Sequence, residues 1–79
     1  MPVRTVVDPF ALQIGVRIRA VRREQGLSLA DMEKTSGVSK GQLSNIERGQ
    51  VCMNVVTLYK IARGLRVQLL DILPTLANA

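Results

Sequence analysis

Glycine falls at positions 26, 37, 49 and 64, each about 11 to 15 residues from the next, and each closes a segment whose apolar residues recur at helical spacing. A chain punctuated in this way has room for short helices joined by tight turns and for little else. No stretch alternates apolar and polar residues at a period of two, so no strand reading competes. The expected fold is all-α: a five-helix bundle over about residues 8–74, one domain within 1–79 with short arms at either end.

Each segment carries its own start and stop signals. Asp8-Pro9 opens the first, with Asp8 as N-cap and proline at the first helical position, where its missing N–H costs nothing. Phe10, Ile14, Ile18 and Val21 form its inward stripe, Arg17, Arg19 and Arg23 fall off it, and Gly26 supplies a left-handed C-cap. Ser28 and Asp31 start the second helix in a near capping box, and it ends at Gly37. Ser39-Lys40-Gly41-Gln42 reads as a capping box for a third helix that has only Leu43 and Ile46 as clear inward residues before Gly49. Asn54 caps a fourth with Leu58, Ile61, Ala62 and Leu65 inward, and Leu69, Ile72 and Leu73 make a fifth that Pro74 helps to end. Helices two and three are joined only by Gly37-Val38, a turn that sets them at a steep angle, and the small Ala30 lets them approach closely.

Composition narrows the chemistry. Phe10 and Tyr59 are the only aromatic residues, so the core must be aliphatic. Histidine is absent and Cys52 stands alone, which leaves no disulfide, no Cys/His metal set and no histidine acid/base pair. The six carboxylates Asp8, Glu24, Asp31, Glu33, Glu47 and Asp71 show no ligand spacing, so neither an enzyme nor a cofactor is expected. Eleven Lys and Arg against six Asp and Glu give a net charge of +5, which favours a polyanion, either nucleic acid or an anionic membrane. The charges are spread over several helices rather than gathered on one polar face, which argues against a membrane-surface amphipath. With neither an apolar run of about 18 residues nor a signal-peptide pattern, a cytoplasmic protein is expected.

The stretch GLSLADMEKTSGVSKGQLSNIERG at 26–49, followed by TLYKIARGLRV at 57–67, resembles the helix-turn-helix regulators of the phage-repressor and Cro type, the XRE family, and the likeness runs from about Ile14 to Leu73. It is similar above all to the short and cupin-fused regulators of that family. The resemblance implies a lambda-repressor-like DNA-binding domain whose third helix, 39–48, enters the major groove.

A polar, N-capped, poorly buried helix on a basic domain suits that task. Leu43, Ile46 and Glu47 share one face of it, leaving Gly41, Ser44, Asn45 and Arg48 opposite, with Lys40 and Gln42 at the flanks of the inserted end. Ser39, Lys40, Gln42, Ser44 and Asn45 are therefore the candidate base readers, with Lys40 suited to guanine O6 and N7 and Asn45 to adenine. Gly41 carries no reading group and lets the backbone lie close to DNA. Ser28, Arg48 and Asn54 are the candidate phosphate contacts. Leu29 stands where family members often have Gln, so a side-chain phosphate contact is not implied there. Arg22 follows inward Ile18 by four residues and Glu47 follows inward Leu43 by four, and the resemblance implies a salt bridge between them.

One short helix-turn-helix reads only a few base pairs, so a homodimer on two half-sites of double-stranded DNA is expected. Leu70 and Leu76 fall outside the Leu69, Ile72, Leu73 stripe and are the candidate interface. No small-molecule effector is implied. The alternative is an antitoxin-like module that binds a protein partner as well as its own promoter.

Overall fold

In the computed structural model, which describes residues 8–50 and 54–74, the chain forms α1 (Pro9–Glu24), α2 (Leu29–Ser36), α3 (Lys40–Glu47), α4 (Val55–Leu65) and a 3-10 turn at Leu69–Ile72. The class is all-α, but the helix count is corrected: among the described residues there are four α-helices, and the fifth segment is a single 3-10 turn. Its four residues are too few for an α-helix to propagate. Pro74 disfavours the helical region for the residue before it, and Leu73 is accordingly extended at φ −96°, ψ 146°.

The starts of the helices are capped as the sequence demands. The Asp8 carboxylate accepts the N–H groups of Phe10 and Ala11 at 2.8 and 3.2 Å, and Asn54 Oδ1 accepts that of Thr57 at 2.8 Å. Ser28 and Asp31 form a complete capping box, at 3.0 Å from the Asp31 N–H to the hydroxyl and 2.9 Å from the Ser28 N–H to the carboxylate. On α3 only half of the expected box forms: Ser39 Oγ accepts the Gln42 N–H at 3.2 Å, without the reciprocal bond from the glutamine side chain.

The core is aliphatic throughout: Ile14 and Ile18 of α1, Met32 of α2, Val38 of the turn, Leu43 and Ile46 of α3, Leu58, Ile61, Ala62 and Leu65 of α4, and Ile72. Each large aliphatic group taken from water contributes roughly 1.5–3 kcal/mol. Phe10 is not part of this core. It is 48% exposed, one turn before Ile14 in the first turn of α1. Tyr59 is 57% exposed, and a fully aliphatic core is the result.

Close approaches at Gly15, at Gly64 and at Gly49, where a Cβ would lie 2.7 Å from Leu12 Cα, fix how the helices cross, and none involves Ala30, which is exposed at the second position of α2. A Cβ on Gly15 would collide with the carbonyl oxygens of Ile46 and Glu47, so α1 and α3 meet backbone to backbone. A Cβ on Gly64 would lie 2.9 Å from that of Ser36, so α2 and α4 meet at two small residues. Gly64 therefore does not close a helix, as its spacing suggests, but sits inside α4. The left-handed residue that ends α4 is Arg66, at φ 59°, a conformation costly for any residue with a Cβ. Two further bonds tie the layers: Gln25 Nε2 donates to the Leu65 carbonyl at 2.6 Å, and Arg17 Nε donates to the Asp71 carbonyl at 2.8 Å.

Candidate nucleic-acid interface

The α2–α3 unit is held by its turn. Gly37 adopts φ 77°, and its N–H donates to the Glu33 carbonyl at 2.9 Å. The next residue, Val38, is only 4% exposed and anchors the turn in the core. Buried Ser36 completes the corner: its hydroxyl donates to the Met32 carbonyl at 2.6 Å and accepts from the Val38 N–H at 3.1 Å, and no buried side-chain N or O among the described residues is left unpaired.

On α3, Leu43, Ile46 and Glu47 face inward. Ser39, Lys40, Gly41, Gln42 and Arg48 are exposed, and Ser44 and Asn45 are half-buried. The residues singled out in the sequence for base reading thus share one solvent-facing surface at the N-terminal end of the helix and along its outer side. Among the described residues nothing outside the helix's own backbone and Gly41's chain neighbours lies within 4 Å of where a Gly41 Cβ would stand, so its lack of a side chain serves no packing between these elements. Asn45 Oδ1 accepts from Arg48 Nη2 at 2.8 Å, a bond that orients the amide. In Ser39 and Asn54 the side-chain oxygen is committed to a helix N–H, which leaves the hydroxyl proton and the amide NH2 respectively as donors toward any acceptor outside. Ser28 differs. Its N–H, then its hydroxyl, hold the exposed Asp31 carboxyl below the ordinary carboxylate range, with Lys34 adding a smaller attraction.

Behind this surface Arg22 and Glu47 form a two-pronged ion pair, Nε to Oε2 at 2.7 Å and Nη2 to Oε1 at 3.0 Å, with side chains only 11% and 6% exposed. Arg22 Nη1 also donates to the Leu27 carbonyl at 2.7 Å. The Glu47 carboxylate raises the Arg22 pKa further above its already high ordinary value. Among the described residues this is the one ion pair, and it ties α1 to the end of α3 and the start of the α1–α2 connection.

The helix-turn-helix family model HTH_3 matches residues 18–72, more than half of the chain. The chain belongs to the HTH_3 helix-turn-helix family. HTH_3 relatives agree. The chain is 41% identical over 54 residues to the uncharacterized HTH-type transcriptional regulator y4dJ of Sinorhizobium fredii, covering 68% of this chain and 70% of that protein. It is 39% identical over 61 residues to the HTH-type transcriptional regulator SutR of Escherichia coli, where 77% of this chain matches 34% of the relative, so the chain spans about a third of that protein's length. Its fold superposes on the restriction-modification controller protein C.AhdI of Aeromonas hydrophila with a TM-score of 0.76 at 27% identity, over 78% of this chain and 94% of that one.

Several features of the site and its support do not follow from the sequence pattern. The burial of turn residue Val38 and of Gly15 gives no periodic signal, because one lies in a turn and the other contributes no side chain. Glu33 stands at an inter-helix position and reaches α3: its Oε2 accepts the Lys40 N–H at 3.1 Å. Exposed Val55, Val56 and Tyr59 share a face of α4, and the Arg63 guanidinium lies 6.0 Å from the centre of the Tyr59 ring. Leu70, a candidate interface residue, is 80% exposed on the 3-10 turn, while Leu76 lies outside the described residues. No helix among the described residues is long and apolar enough to cross a membrane.

Proposed function

We propose that this HTH-type regulator is a sequence-specific DNA-binding protein of the repressor or controller kind, which reads a palindromic operator as a homodimer with α3 in the major groove. The carrying observation is the outer face of α3: polar, N-capped, rigidly backed by the core and the Arg22–Glu47 pair, and holding a glycine that the packing between these elements does not need. Lys40 donates to guanine O6 and N7, Asn45 pairs with adenine, and Ser39, Gln42 and Ser44 complete the reading surface, each good contact giving roughly 1–3 kcal/mol of discrimination. Arg48, Asn54 and, at the Ser28 end of α2, the Leu29 and Ala30 N–H groups that the capping box leaves open take the phosphates and set register. Arg48 has a second task, since its bond to Asn45 presents that amide in one orientation. The +5 charge supplies long-range attraction. The unit that does this is residues 8–74, working in the cytoplasm without catalysis or cofactor.

Dimerisation rests on surface chemistry. Leu70, 80% exposed on the 3-10 turn, offers apolar surface that a second copy would bury, which supports the reading that this turn lies at the two-fold interface. Two copies so joined would present their α3 helices to half-sites about one helical turn, roughly 34 Å, apart. Selection from random duplexes, with light scattering on the selected complex, tests this. A palindromic site bound by two chains is expected. Binding without preference at moderate salt, or by one chain per site, refutes it.

A further inference from the structure

Glu33 bonds the first amide of the helix proposed to enter DNA. In α3 the Lys40 N–H donates to Glu33 Oε2, and the Gln42 N–H donates to Ser39 Oγ. Helix starts ordinarily offer such N–H groups, with the positive end of the helix dipole, to phosphate. Here two of the first three, at Lys40 and Gln42, are taken by side chains of the protein, leaving that of Gly41, and the group at the Lys40 amide is itself anionic. Glu33 is exposed, and among the described residues no cation lies within ion-pair distance of it, so its charge is not cancelled inside the fold. The Lys40 ammonium on the next element is likewise left unpaired for an outside acceptor.

We propose, building on the DNA-reading role of α3 given above, that Glu33 is a specificity-determining residue: its carboxylate denies the N-terminal end of the recognition helix to backbone phosphate. A basic domain gains non-specific affinity wherever a helix start can dock on a phosphate, because that contact is available on every sequence. With Glu33 in place, a phosphate at this end meets an occupied N–H and a like charge. The helix end is stable only where base edges satisfy Lys40, Gln42 and Asn45. Glu33 thus costs some affinity on all DNA and more on random DNA than on the operator.

The test compares wild type with Glu33→Gln and Glu24→Gln on the selected operator and on a random duplex across a salt series. Glutamine at 33 keeps an oxygen to accept the Lys40 N–H but removes the charge, so the variant should stay folded and melt only a few degrees below wild type, by the roughly 0.3–1 kcal/mol that a charge at a helix start contributes. Its affinity for random DNA should rise about two- to five-fold, the usual range for one charge at a helix end, with a smaller rise on the operator. The specific-to-random ratio falls, and the salt slope on random DNA steepens by up to about 0.9. Glu24→Gln removes an equal charge at the far end of α1 and should raise both affinities alike, leaving the ratio unchanged. Glu33→Ala, which also removes the bond, should lower the melting temperature and the ratio together. An unchanged ratio in folded Glu33→Gln, or an equal change in Glu24→Gln, overturns the proposal and leaves Glu33 a helix cap. A wild-type protein that prefers no sequence overturns the reading of α3 itself.

Discussion

Replacing Arg22 with alanine should unfold most of this protein at ordinary temperature. The substitution removes three hydrogen bonds, at 2.7 and 3.0 Å to Glu47 and 2.7 Å to the Leu27 carbonyl, and strands a carboxylate whose side chain is only 6% exposed. Breaking a buried pair by deleting one partner costs roughly 3–5 kcal/mol, because the remaining charge has neither water nor counter-ion. A core this small rarely supplies more than about 3–5 kcal/mol in total, so the loss is comparable to the whole stability. At about 4–8 °C per kcal/mol for a domain of this size, the melting temperature should fall by at least about 12 °C. Replacing both partners, Arg22→Met with Glu47→Leu, removes the buried charge altogether and should recover most or all of the loss. Circular dichroism melts of the three proteins decide the matter, and they can be run anywhere between about pH 5 and 9. The Arg22 pKa is raised by folding, so its contribution is complete below the unfolded value and is lost only as pH climbs past the higher folded value, far above that window. An Arg22→Ala protein with an unchanged melting temperature would refute the reasoning, as would a double variant no more stable than the single one. Weakened DNA binding in Arg22→Ala should track its folded fraction and be normal where the protein is still folded.

The other expectations concern single sites. Lys40→Ala and Asn45→Ala should relax base preference at one position of each half-site, and equal loss on operator and random DNA would contradict their placement. Arg48→Ala should weaken binding to every duplex and also relax the position Asn45 reads; Arg48→Lys, which keeps the charge but not the orienting bond, should do only the second, as a competition assay with single-base operator variants will show. Arg66→Gly should raise the melting temperature, by up to about 1 kcal/mol of stability, since glycine adopts the left-handed α4 terminus without a Cβ clash; a drop would mean that the Arg66 side chain contributes more than its backbone strain costs. Folding depresses the Asp31 pKa, so its stabilisation is present above the ordinary carboxylate pKa of about 4 and disappears as pH falls through the lower folded value; Asp31→Asn should flatten that part of a stability-against-pH curve.

The caps made most of the fold legible. Asp8-Pro9, Ser28 with Asp31, Ser39 and Asn54 mark helix starts because each supplies an acceptor for N–H groups that the helix cannot satisfy itself. The stripe Leu58, Ile61, Ala62, Leu65 is buried throughout because α4 has core along its whole length. Periodicity extended α1's stripe to Phe10, since a repeat says which face turns inward but not where the opposing layer ends. Glycine spacing mistook Gly64 for a stop, since a glycine needed for contact with Ser36 looks the same as one needed for a left-handed turn. Ala30 was picked for close approach because a small residue near a steep turn has the right size; the real contacts are at Gly15, at Gly49 and at Ser36 with Gly64, set by partners distant in sequence. The outer face of α3 follows from its inward residues by subtraction. Glu33 was not found that way, because its site meaning comes from an amide seven residues away across the turn.

Gly41→Ala tests the central claim most directly, because stability and binding should move in opposite directions. Among the described residues nothing outside the helix's own backbone and Gly41's chain neighbours lies within 4 Å of the new methyl group, and Gly41 is a helical residue without a left-handed backbone, so alanine should stabilise the fold by roughly 0.5–1 kcal/mol. If α3 lies in the major groove with its backbone close to DNA, the same methyl should weaken operator binding at least several-fold. A protein that melts higher and binds its operator less tightly is the predicted result. One that melts higher and binds as well as wild type would contradict the claim that this face of α3 reads DNA.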